Sequence, residues 1–280
     1  MARKVQLPGQ SATARSLSIE EVARMLEDCD EATFLSCREA LKSDTRKGIL
    51  RLLEKTAHRL ESQKAEAARL KLLYTYEADL AREAGVTCWV GIDEVGRGPV
   101  AGPLAAGAVV LDPETRIPGL NDSKQLTPEA RERIALQVKE EALAWAVSFV
   151  DNEYIDAHGI VASLKKAFSE ALAQVEESLV GRGMQVGLVL LDGNPIGFDP
   201  REHNVVKGDA KCASIAAASI VAKVERDALM VRLAADYPQY GWDANKGYAS
   251  EEHMKAIERY GLSPLHRMSF CTSFSQMALF

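Results

Sequence analysis

The sequence predicts an α/β layer fold with a mixed sheet, preceded by a small all-helical region. Residues 18–82 carry apolar side chains at helical spacing. After residue 86 the chain changes to short apolar strands, and farther on helices and strands alternate, which is the order expected of an α/β layer. With 280 residues, the chain is also long enough to bury a substantial core.

The helical region opens with a capping pattern and carries a row of cations. Ser18 is followed by Glu21 at capping-box spacing, and the helical pattern continues in pieces to about Arg82. Four cations recur at intervals of four residues, which places them on one side of a helix. They are Lys47, Arg51, Lys55 and Arg59, termed here the N-terminal basic stripe.

Two interpretations of the N-terminal basic stripe remain open. The stretch from Lys42 to Lys71 contains nine basic and four acidic residues, whereas the whole chain has a net charge of -6. The stripe is therefore either a solvated helix face or a local surface that contacts the phosphates of a nucleic acid. The charge of the whole chain does not indicate a nucleic-acid partner.

The elements after residue 86 follow from apolar runs and their periodicity. Strands are predicted at 88–93, 103–111 and 145–151, a helix at 160–179, strands at 185–193 and 203–209, and helices at 210–237 and 250–260. The helix at 210–237 is rich in alanine, so we expect it to pack closely against the sheet. Gly261 is the predicted C-cap of the last helix.

The chain divides, on this basis, into a disordered start at 1–16, a helical extension at 17–85 and an α/β domain at 86–280 with a C-terminal helical segment. The five cysteines are odd in number and lack Cys-x-x-Cys spacing, which indicates reduced thiols. No apolar run approaches the roughly 18 residues of a membrane span, and the basic start lacks an apolar leader segment. We therefore expect a cytoplasmic monomer without a membrane partner.

Acidic residues stand at the ends of two predicted strands and before a helix. Asp93 and Glu94 follow an apolar run, Asp192 ends "LVLLD", and Asp209 precedes the alanine-rich helix. Open α/β sheets place their sites at the carboxyl ends of strands, where four acids without matching cations would repel one another. Clustered carboxylates suit Mg²⁺ or Mn²⁺, and two such ions support phosphodiester hydrolysis. Helix capping explains Asp209 equally well, but capping would not use both Asp93 and Glu94.

The glycines after Glu94 do not form a nucleotide-binding loop. Gly96, Gly98 and Gly102 depart by one residue from the dinucleotide pattern, and no Gly-Lys-Ser/Thr follows. The Gly-Arg-Gly run at 96–98 is better explained as exposed backbone beside a cation, which suits close contact with a sugar-phosphate chain.

Five long motifs in the chain resemble those of one family. They are "GIDEVGRGPVAGPL", "LNDSKQLT", "LLDGN", "VVKGDAKCASIAAASIVAKVERD" and "NKGYASEEHMKAIERYGLSPLHRMSF", and they extend through most of residues 88–270. In this order they resemble the type 2 ribonucleases H, and within them bacterial ribonuclease HII. The resemblance implies a ribonuclease H-like mixed five-stranded sheet and cleavage of the RNA strand in RNA–DNA hybrids. It also implies incision on the 5′ side of a ribonucleotide embedded in duplex DNA, as in ribonucleotide removal and RNA primer removal.

The resemblance also implies roles for particular residues. The family's metal ligands fall on Asp93, Glu94, Asp192 and Asp209, with two Mn²⁺ or Mg²⁺ ions. We expect Asp93 to bridge both ions. Gly96, Arg97 and Gly98 would sense the 2′-hydroxyl, which distinguishes RNA from DNA. The residues expected to contact the rest of the substrate are Tyr248, Lys124, Lys211, Ser214 and Lys223.

Several of these assignments have plainer alternatives. Tyr248 could be an ordinary half-buried tyrosine, and Lys223 a solvated helix charge. Metal-activated water needs no histidine base, so His203, His253 and His266 are expected to have structural or substrate-positioning roles. Asn245 stands where many bacterial members have histidine.

The resemblance bears on the whole chain as well. The helical extension resembles that of some Gram-positive members, which favours hybrid binding by the basic stripe. The alternatives for the whole chain are a resolvase-type nuclease and an inactive binding module, although the latter would require at least one of the four acids to be missing.

Overall fold

The computed structural model describes residues 17–271, so the predicted disordered start at 1–16 lies outside the described residues. These residues form two compact units that divide between Arg69 and Leu70. The helices are α1 Ile19–Glu27, α2 Glu31–Ala40, α3 Lys47–Glu83, α4 Pro128–Glu141, α5 Asn152–Val180, α6 Ala213–Asp236, α7 Trp242–Asn245 and α8 Glu251–Tyr260. The strands are β1 Trp89–Val95, β2 Leu104–Val110, β3 Ala144–Val150, β4 Leu188–Asp192 and β5 Glu202–Val205. Within residues 17–271, no helix combines the length and the apolarity that a membrane crossing requires.

The first unit is a small helical cluster with its own core. The predicted capping box at the start of α1 is confirmed, since the Glu21 N–H donates to Ser18 Oγ at 3.1 Å and the Ser18 N–H donates to Glu21 Oε2 at 2.7 Å. Helices α1 and α2 and the first part of α3 enclose buried apolar side chains. These include Val22, Leu26, Phe34, Cys37, Leu41 and Ile49.

Helix α3 continues without a break from the first unit into the second. Leu70, Leu73 and Tyr74 on its last third pack with Ile117 and with α6 in one buried cluster. The boundary between the two compact units lies inside α3, between Arg69 and Leu70, and the predicted division after residue 85 stays a prediction. A helical period does not change where the partners of its apolar face change, so the pattern contained no signal for this point.

The second unit contains the mixed five-stranded sheet, which confirms the predicted fold class. The strand order is β3-β2-β1-β4-β5, with β1 antiparallel to β2, β2 antiparallel to β3, and β1–β4 and β4–β5 parallel. Helix α5 covers one face through residues such as Phe168. Helices α4 and α6 cover the other face. This layering leaves the carboxyl ends of β1 and β4 side by side.

The contact between α6 and the sheet is as close as the alanine-rich sequence predicted. A Cβ atom added at Gly91 of β1 would lie 2.2 Å from the carbonyl carbon of Ser214, and one at Gly107 of β2 would lie 2.4 Å from the Ala218 oxygen. Only glycine on the strands and small residues on the helix permit this approach. The start of α6 is thereby held against β1, two residues before Asp93.

Two helical features were not predicted. Helix α4 was missed, although Thr127 and Pro128 form a recognisable start: Thr127 Oγ1 accepts from the Ala130 N–H at 3.2 Å, and Pro128 occupies the first turn. Helix α5 begins at Asn152, with Asp151 as its N-cap, and Gly159 interrupts it with a φ of 77°. The predicted helix start at residue 160 directly follows this interruption. That glycine masked the period of the first turns.

Candidate active site

The sheet brings three of the four predicted acids to one edge. Asp93 and Glu94 lie near the carboxyl end of β1, and Asp192 ends β4. These strands are parallel, and Ile92 pairs with Leu191, so the next residue of each strand carries a carboxylate at the same level. The two strands therefore present their acids side by side, as the sequence predicted.

Asp209 reaches the same place through a short 3₁₀ turn, Gly208–Ala210, that precedes α6. The turn is tied to β4, because the Gly208 N–H donates to Asp192 Oδ1 at 2.6 Å. Asp209 is buried at this point. Its sequence position before a helix suggested capping, but the residue directly preceding α6 is Cys212.

The pKa shifts of Asp93, Glu94 and Asp192 show that the carboxylates of this site lie close together. Burial, followed by repulsion from Glu94 and Asp192, raises the pKa of Asp93 well above its ordinary value. Burial also raises the pKa of Glu94, with Arg97 opposing the shift and Asp192 adding to it. For Asp192, burial is the main cause of a raised pKa and repulsion from Asp209 contributes. Crowded carboxylates of this kind need positive charge nearby.

Two exposed cations supply part of that charge. Lys124 Nζ lies 3.3 Å from Asp209 Oδ2 and 3.9 Å from an oxygen of Asp122. Arg97 Nη1 lies 3.2 Å from Glu94 Oε1. Both side chains are mostly solvent-exposed, so they are free to rotate away from the acids.

The donor set fits a hard divalent cation. It consists of carboxylate oxygens, which Mg²⁺ and Mn²⁺ prefer. Within residues 17–271, no three His, Cys, Asp or Glu side chains are already drawn together as a ligand group. Holding an ion therefore requires side-chain rotation, and the repulsion among the acids is the force that an ion would relieve.

The Gly-Arg-Gly run forms a turn in which the two glycines differ in backbone conformation and in surroundings. Gly96 has a φ of 89°, and a Cβ atom there would lie 2.3 Å from Arg226 Nε, so only glycine fits. Gly98 has an ordinary φ, and the nearest atom to an added Cβ would be Tyr248 Cε1 at 4.0 Å. The fold therefore does not demand glycine at position 98.

Two buried arginines hold this turn. Arg267 donates to the carbonyl oxygens of Gly96, Arg97 and Gly102 at 2.7, 3.1 and 3.0 Å. Arg226 donates to the oxygens of Pro103 and Lys246 at 2.8 and 3.0 Å. Burial lowers the pKa of Arg226, and burial together with repulsion from Arg226 lowers the pKa of Arg267 to about 10.

These arginines link the turn to the segment that carries Tyr248. The sequence predicted no role for Arg226. An arginine on the inner face of an alanine-rich helix was the signal that could have identified Arg226.

Tyr248 borders the turn from the other side. Its side chain is 42% exposed, which leaves a ring face available to substrate. Its backbone oxygen lies 2.8 Å from His253 Nδ1, so this nitrogen is the donor. Asn245, three residues before Tyr248, closes the loop by accepting from the Gly247 N–H at 2.8 Å.

The buried histidines His253 and His266 form a hydrogen-bonded pair. His253 Nε2 lies 3.1 Å from His266 Nε2 and accepts from the Trp242 indole N–H at 3.1 Å. His266 Nδ1 accepts from the Ser263 N–H at 2.9 Å. This pattern requires both rings to be neutral and fits the expected structural role; His203, by contrast, is exposed on β5.

The remaining predicted substrate contacts divide into accessible and buried residues. Lys124 lies at the acids and Lys211 is exposed, while Lys223 pairs with Asp227 at 2.8 Å on α6. The prediction for Ser214 is wrong. Its side chain is 0% exposed, and both its N–H and its hydroxyl donate to Glu77 Oε2, at 2.8 and 2.7 Å.

The N-terminal basic stripe contains one member with a different role. Lys47, Arg51 and Lys55 are exposed on α3. Arg59 is partly buried, and its Nη2 donates to the backbone oxygens of Leu26 and Cys29 at 3.1 and 3.2 Å, at the end of α1. Arg59 therefore satisfies helix-terminal carbonyls, which removes it from the predicted contact surface.

The mixed five-stranded sheet with acids at the ends of β1 and β4 defines the class: the protein is a nuclease of the ribonuclease H-like fold. Two sequence models of families match the chain, the one described as Ribonuclease HII over residues 90–273 and the one described as Ribonuclease HII N-terminal domain over residues 18–81. The chain belongs to the ribonuclease HII family. It is therefore a ribonuclease H hydrolase, and family membership supports divalent-metal-dependent endoribonuclease activity on RNA–DNA hybrids.

Curated relatives match along almost the whole chain. Ribonuclease HII of Clostridium acetobutylicum is 39% identical over 260 residues, covering 91% of this chain and 98% of the relative. Ribonuclease HII of Halalkalibacterium halodurans is 38% identical over 260 residues, covering 92% and 95%.

Solved structures share the fold. The ribonuclease H2 of Pyrococcus horikoshii has a TM-score of 0.56 and 26% identity, covering 68% of this chain and 98% of that one. Bst-RNase HIII in complex with Mn²⁺ also has a TM-score of 0.56, at 22% identity, covering 71% and 72%. At 22% identity, the second similarity shows the fold alone.

Proposed function

We propose that the protein hydrolyses the RNA strand of RNA–DNA hybrids and cuts duplex DNA on the 5′ side of an embedded ribonucleotide. The cut leaves a 3′-hydroxyl and a 5′-phosphate. The observation that carries the proposal is the group of four carboxylates, at the ends of two neighbouring strands and on an adjoining turn, directly beside the Gly-Arg-Gly turn. In the cell this activity would serve ribonucleotide excision repair and RNA primer removal, carried out by a cytoplasmic monomer.

Asp93, Glu94, Asp192 and Asp209 would hold two Mg²⁺ or Mn²⁺ ions. When bound, the two ions activate a water molecule and stabilise the leaving oxygen of the phosphodiester. The chain itself positions these ligands: the parallel pairing of β1 with β4 sets Asp93 beside Asp192, and the Gly208 N–H holds an Asp192 oxygen. Lys124, which pairs with Asp209, is placed to exchange that contact for a substrate phosphate.

The Gly-Arg-Gly turn would recognise the ribonucleotide. Arg267 fixes the backbone of Gly96 and Arg97, so that the turn meets the substrate with little loss of conformational freedom. Gly98 has room for a side chain within the protein, and the absence of one is explained by the close approach of a sugar that carries a 2′-hydroxyl. Tyr248, which borders Gly98, would pack on the next deoxyribose.

Basic residues outside the centre would bind the sugar-phosphate backbone. On the second unit these are Lys211 and Lys223, together with Lys124. On the first unit the exposed cations Lys47, Arg51 and Lys55 would contact the hybrid, whose phosphates attract basic side chains regardless of sequence.

The decisive test uses end-labelled duplex DNA that contains a single ribonucleotide. It is incubated with Mg²⁺, Mn²⁺ or Ca²⁺, beside an all-DNA duplex and beside the Asp93→Asn variant. We expect one cut on the 5′ side of the ribonucleotide with Mg²⁺ or Mn²⁺ and no cut in the all-DNA duplex. Asp93→Asn should lower cleavage by at least about 10³-fold while hybrid binding is retained, because ligand charge is lost and shape is not.

Other outcomes would contradict parts of the proposal. Cleavage of long RNA tracts alone would retain the four acids as the catalytic centre but remove junction recognition from the Gly-Arg-Gly turn. Undiminished turnover by Asp93→Asn would remove the assignment of the metal ligands. Hybrid binding without any cleavage would leave a binding module.

A further inference from the structure

Glu77 is a buried carboxylate for which the proposed mechanism has no use. It lies in the last third of α3, within the second compact unit, and is 1% exposed. Its Oε2 accepts from the N–H and from the hydroxyl of Ser214. The side chain of Trp89 and the backbone of Ala213 also lie beside this carboxylate and favour its ionised form. An acid buried among uncharged donors costs free energy, so its position needs an explanation.

The explanation is at the start of α6. Among the described residues, the N-cap of α6 is Cys212, which makes no side-chain capping bond, and the first turn contains no acid. The first N–H groups of a helix have no partner inside the helix, and its positive end favours a negative charge. Glu77 supplies both the acceptor and the charge, from a position 137 residues earlier in the chain.

The start of α6 is directly connected to the four acids. The N–H groups of Lys211 and Cys212 both donate to the Gly208 oxygen, at 2.9 and 2.8 Å, so the turn that carries Asp209 continues into the helix. Farther along α6, the Ser219 side chain lies beside the Asp93 carboxylate. A displacement of the first turn of α6 would therefore move Asp209 and Ser219 relative to Asp93.

We propose that Glu77 is a positioning residue of the active site. By capping α6 from α3, it holds Asp209 and Ser219 in place against Asp93. The inference rests on the proposed function, because it takes these acids as the metal ligands. It gives α3 a part in the chemistry, in addition to any contact that the basic stripe makes with substrate.

The test compares the wild type with Glu77→Ala, Glu77→Gln and the control Glu83→Gln. Glu83 is an exposed acid at the end of the same helix, so its substitution makes the same change of charge without touching α6. Circular dichroism first fixes a temperature at which all four proteins are folded. At that temperature kcat, KM for the ribonucleotide duplex and the Mn²⁺ concentration for half-maximal rate are measured. Titration calorimetry with Mn²⁺ alone, and amide exchange over residues 208–220, are recorded in parallel.

Glu77→Ala should lower kcat and weaken Mn²⁺ binding, each by about tenfold, as loss of a residue that orients metal ligands does. KM should stay within about twofold of wild type, because substrate contacts are retained. Amide exchange should increase at the start of α6. Glu77→Gln presents an acceptor oxygen in the same place and should restore most of kcat, and Glu83→Gln should match the wild type.

Three results would overturn the positioning role. One is an unchanged kcat in Glu77→Ala; another is a rise in KM at constant kcat, which would indicate a substrate contact. The third is a loss of kcat with unchanged exchange and unchanged Mn²⁺ binding. If the wild type itself cleaves no ribonucleotide substrate, the proposed function fails, whereas exchange and Mn²⁺ titration still decide whether Glu77 orders the site.

Discussion

Gly96 and Gly98 lie two residues apart and are glycines for different physical reasons. Gly96 has a positive φ and lies against the Arg226 guanidinium, so a side chain is excluded by the fold. Gly98 has neither constraint. The Gly-Arg-Gly run therefore contains one glycine that the fold requires and one that it does not.

This difference gives a prediction with an internal control. Gly96→Ala should lower the free energy of unfolding by roughly 1–3 kcal/mol, because the backbone is strained and Arg226 is displaced. Gly98→Ala should stay within about 0.5 kcal/mol of wild type but lose most cleavage at a single ribonucleotide. Urea denaturation and the single-ribonucleotide assay measure the two effects. Normal cleavage by a stable Gly98→Ala protein would exclude close substrate approach at that residue.

The histidine pair predicts a pH dependence of stability. Burial and repulsion from His253 lower the pKa of His266 to about 4, whereas an unfolded histidine titrates near 6.5. Between these values the unfolded chain binds a proton that the native state does not, so the free energy of unfolding falls as pH falls. The full effect is on the order of 3 kcal/mol.

The contribution of Glu77 to the pH dependence of stability must be separated from that of His266. Burial raises the pKa of Glu77 to about 7, so it contributes with the opposite sign between about pH 4.5 and 7. Urea denaturation of wild type and His266→Gln between pH 4 and pH 8 isolates the histidine term as a difference. The stability of the wild type should fall relative to that of His266→Gln as the pH is lowered from about 6.5 to 4; parallel curves over the whole range would show that His266 does not titrate as described.

At the scale of helices and strands, the sequence predicted the features that depend on residues close together in the chain. The capping box of α1, the strand ends that carry Asp93 and Asp192, and the close packing of α6 were all visible as spacing or composition. Contacts between distant segments were not visible. From the family resemblance, Ser214 was expected to contact substrate, whereas its N–H donates to Glu77, 137 residues away in the chain.

The N-terminal helices give a prediction about salt. Replacing Lys47, Arg51 and Lys55 together by Gln should weaken hybrid binding and lower the slope of log affinity against log salt by roughly two to three, if each cation neutralises one phosphate. The matched change, Arg59→Gln, should instead cost about 1 kcal/mol of stability and leave the slope unchanged, because Arg59 serves carbonyls of α1. Fluorescence anisotropy between low and physiological salt measures the slope. An identical slope for the wild type and the triple variant would show that the basic stripe is a solvated helix face.

At the scale of the whole molecule, the unbroken α3 determines how the chain can be divided. A fragment that begins at residue 86 would contain every strand and all four acids. It would lack Leu73 and Tyr74, which cover α6, and Glu77, which caps it. Such a fragment would expose the apolar side chains of α6 that Leu73 and Tyr74 cover and would leave the first turn of α6 without its cap. We therefore expect it to be less stable than the whole chain.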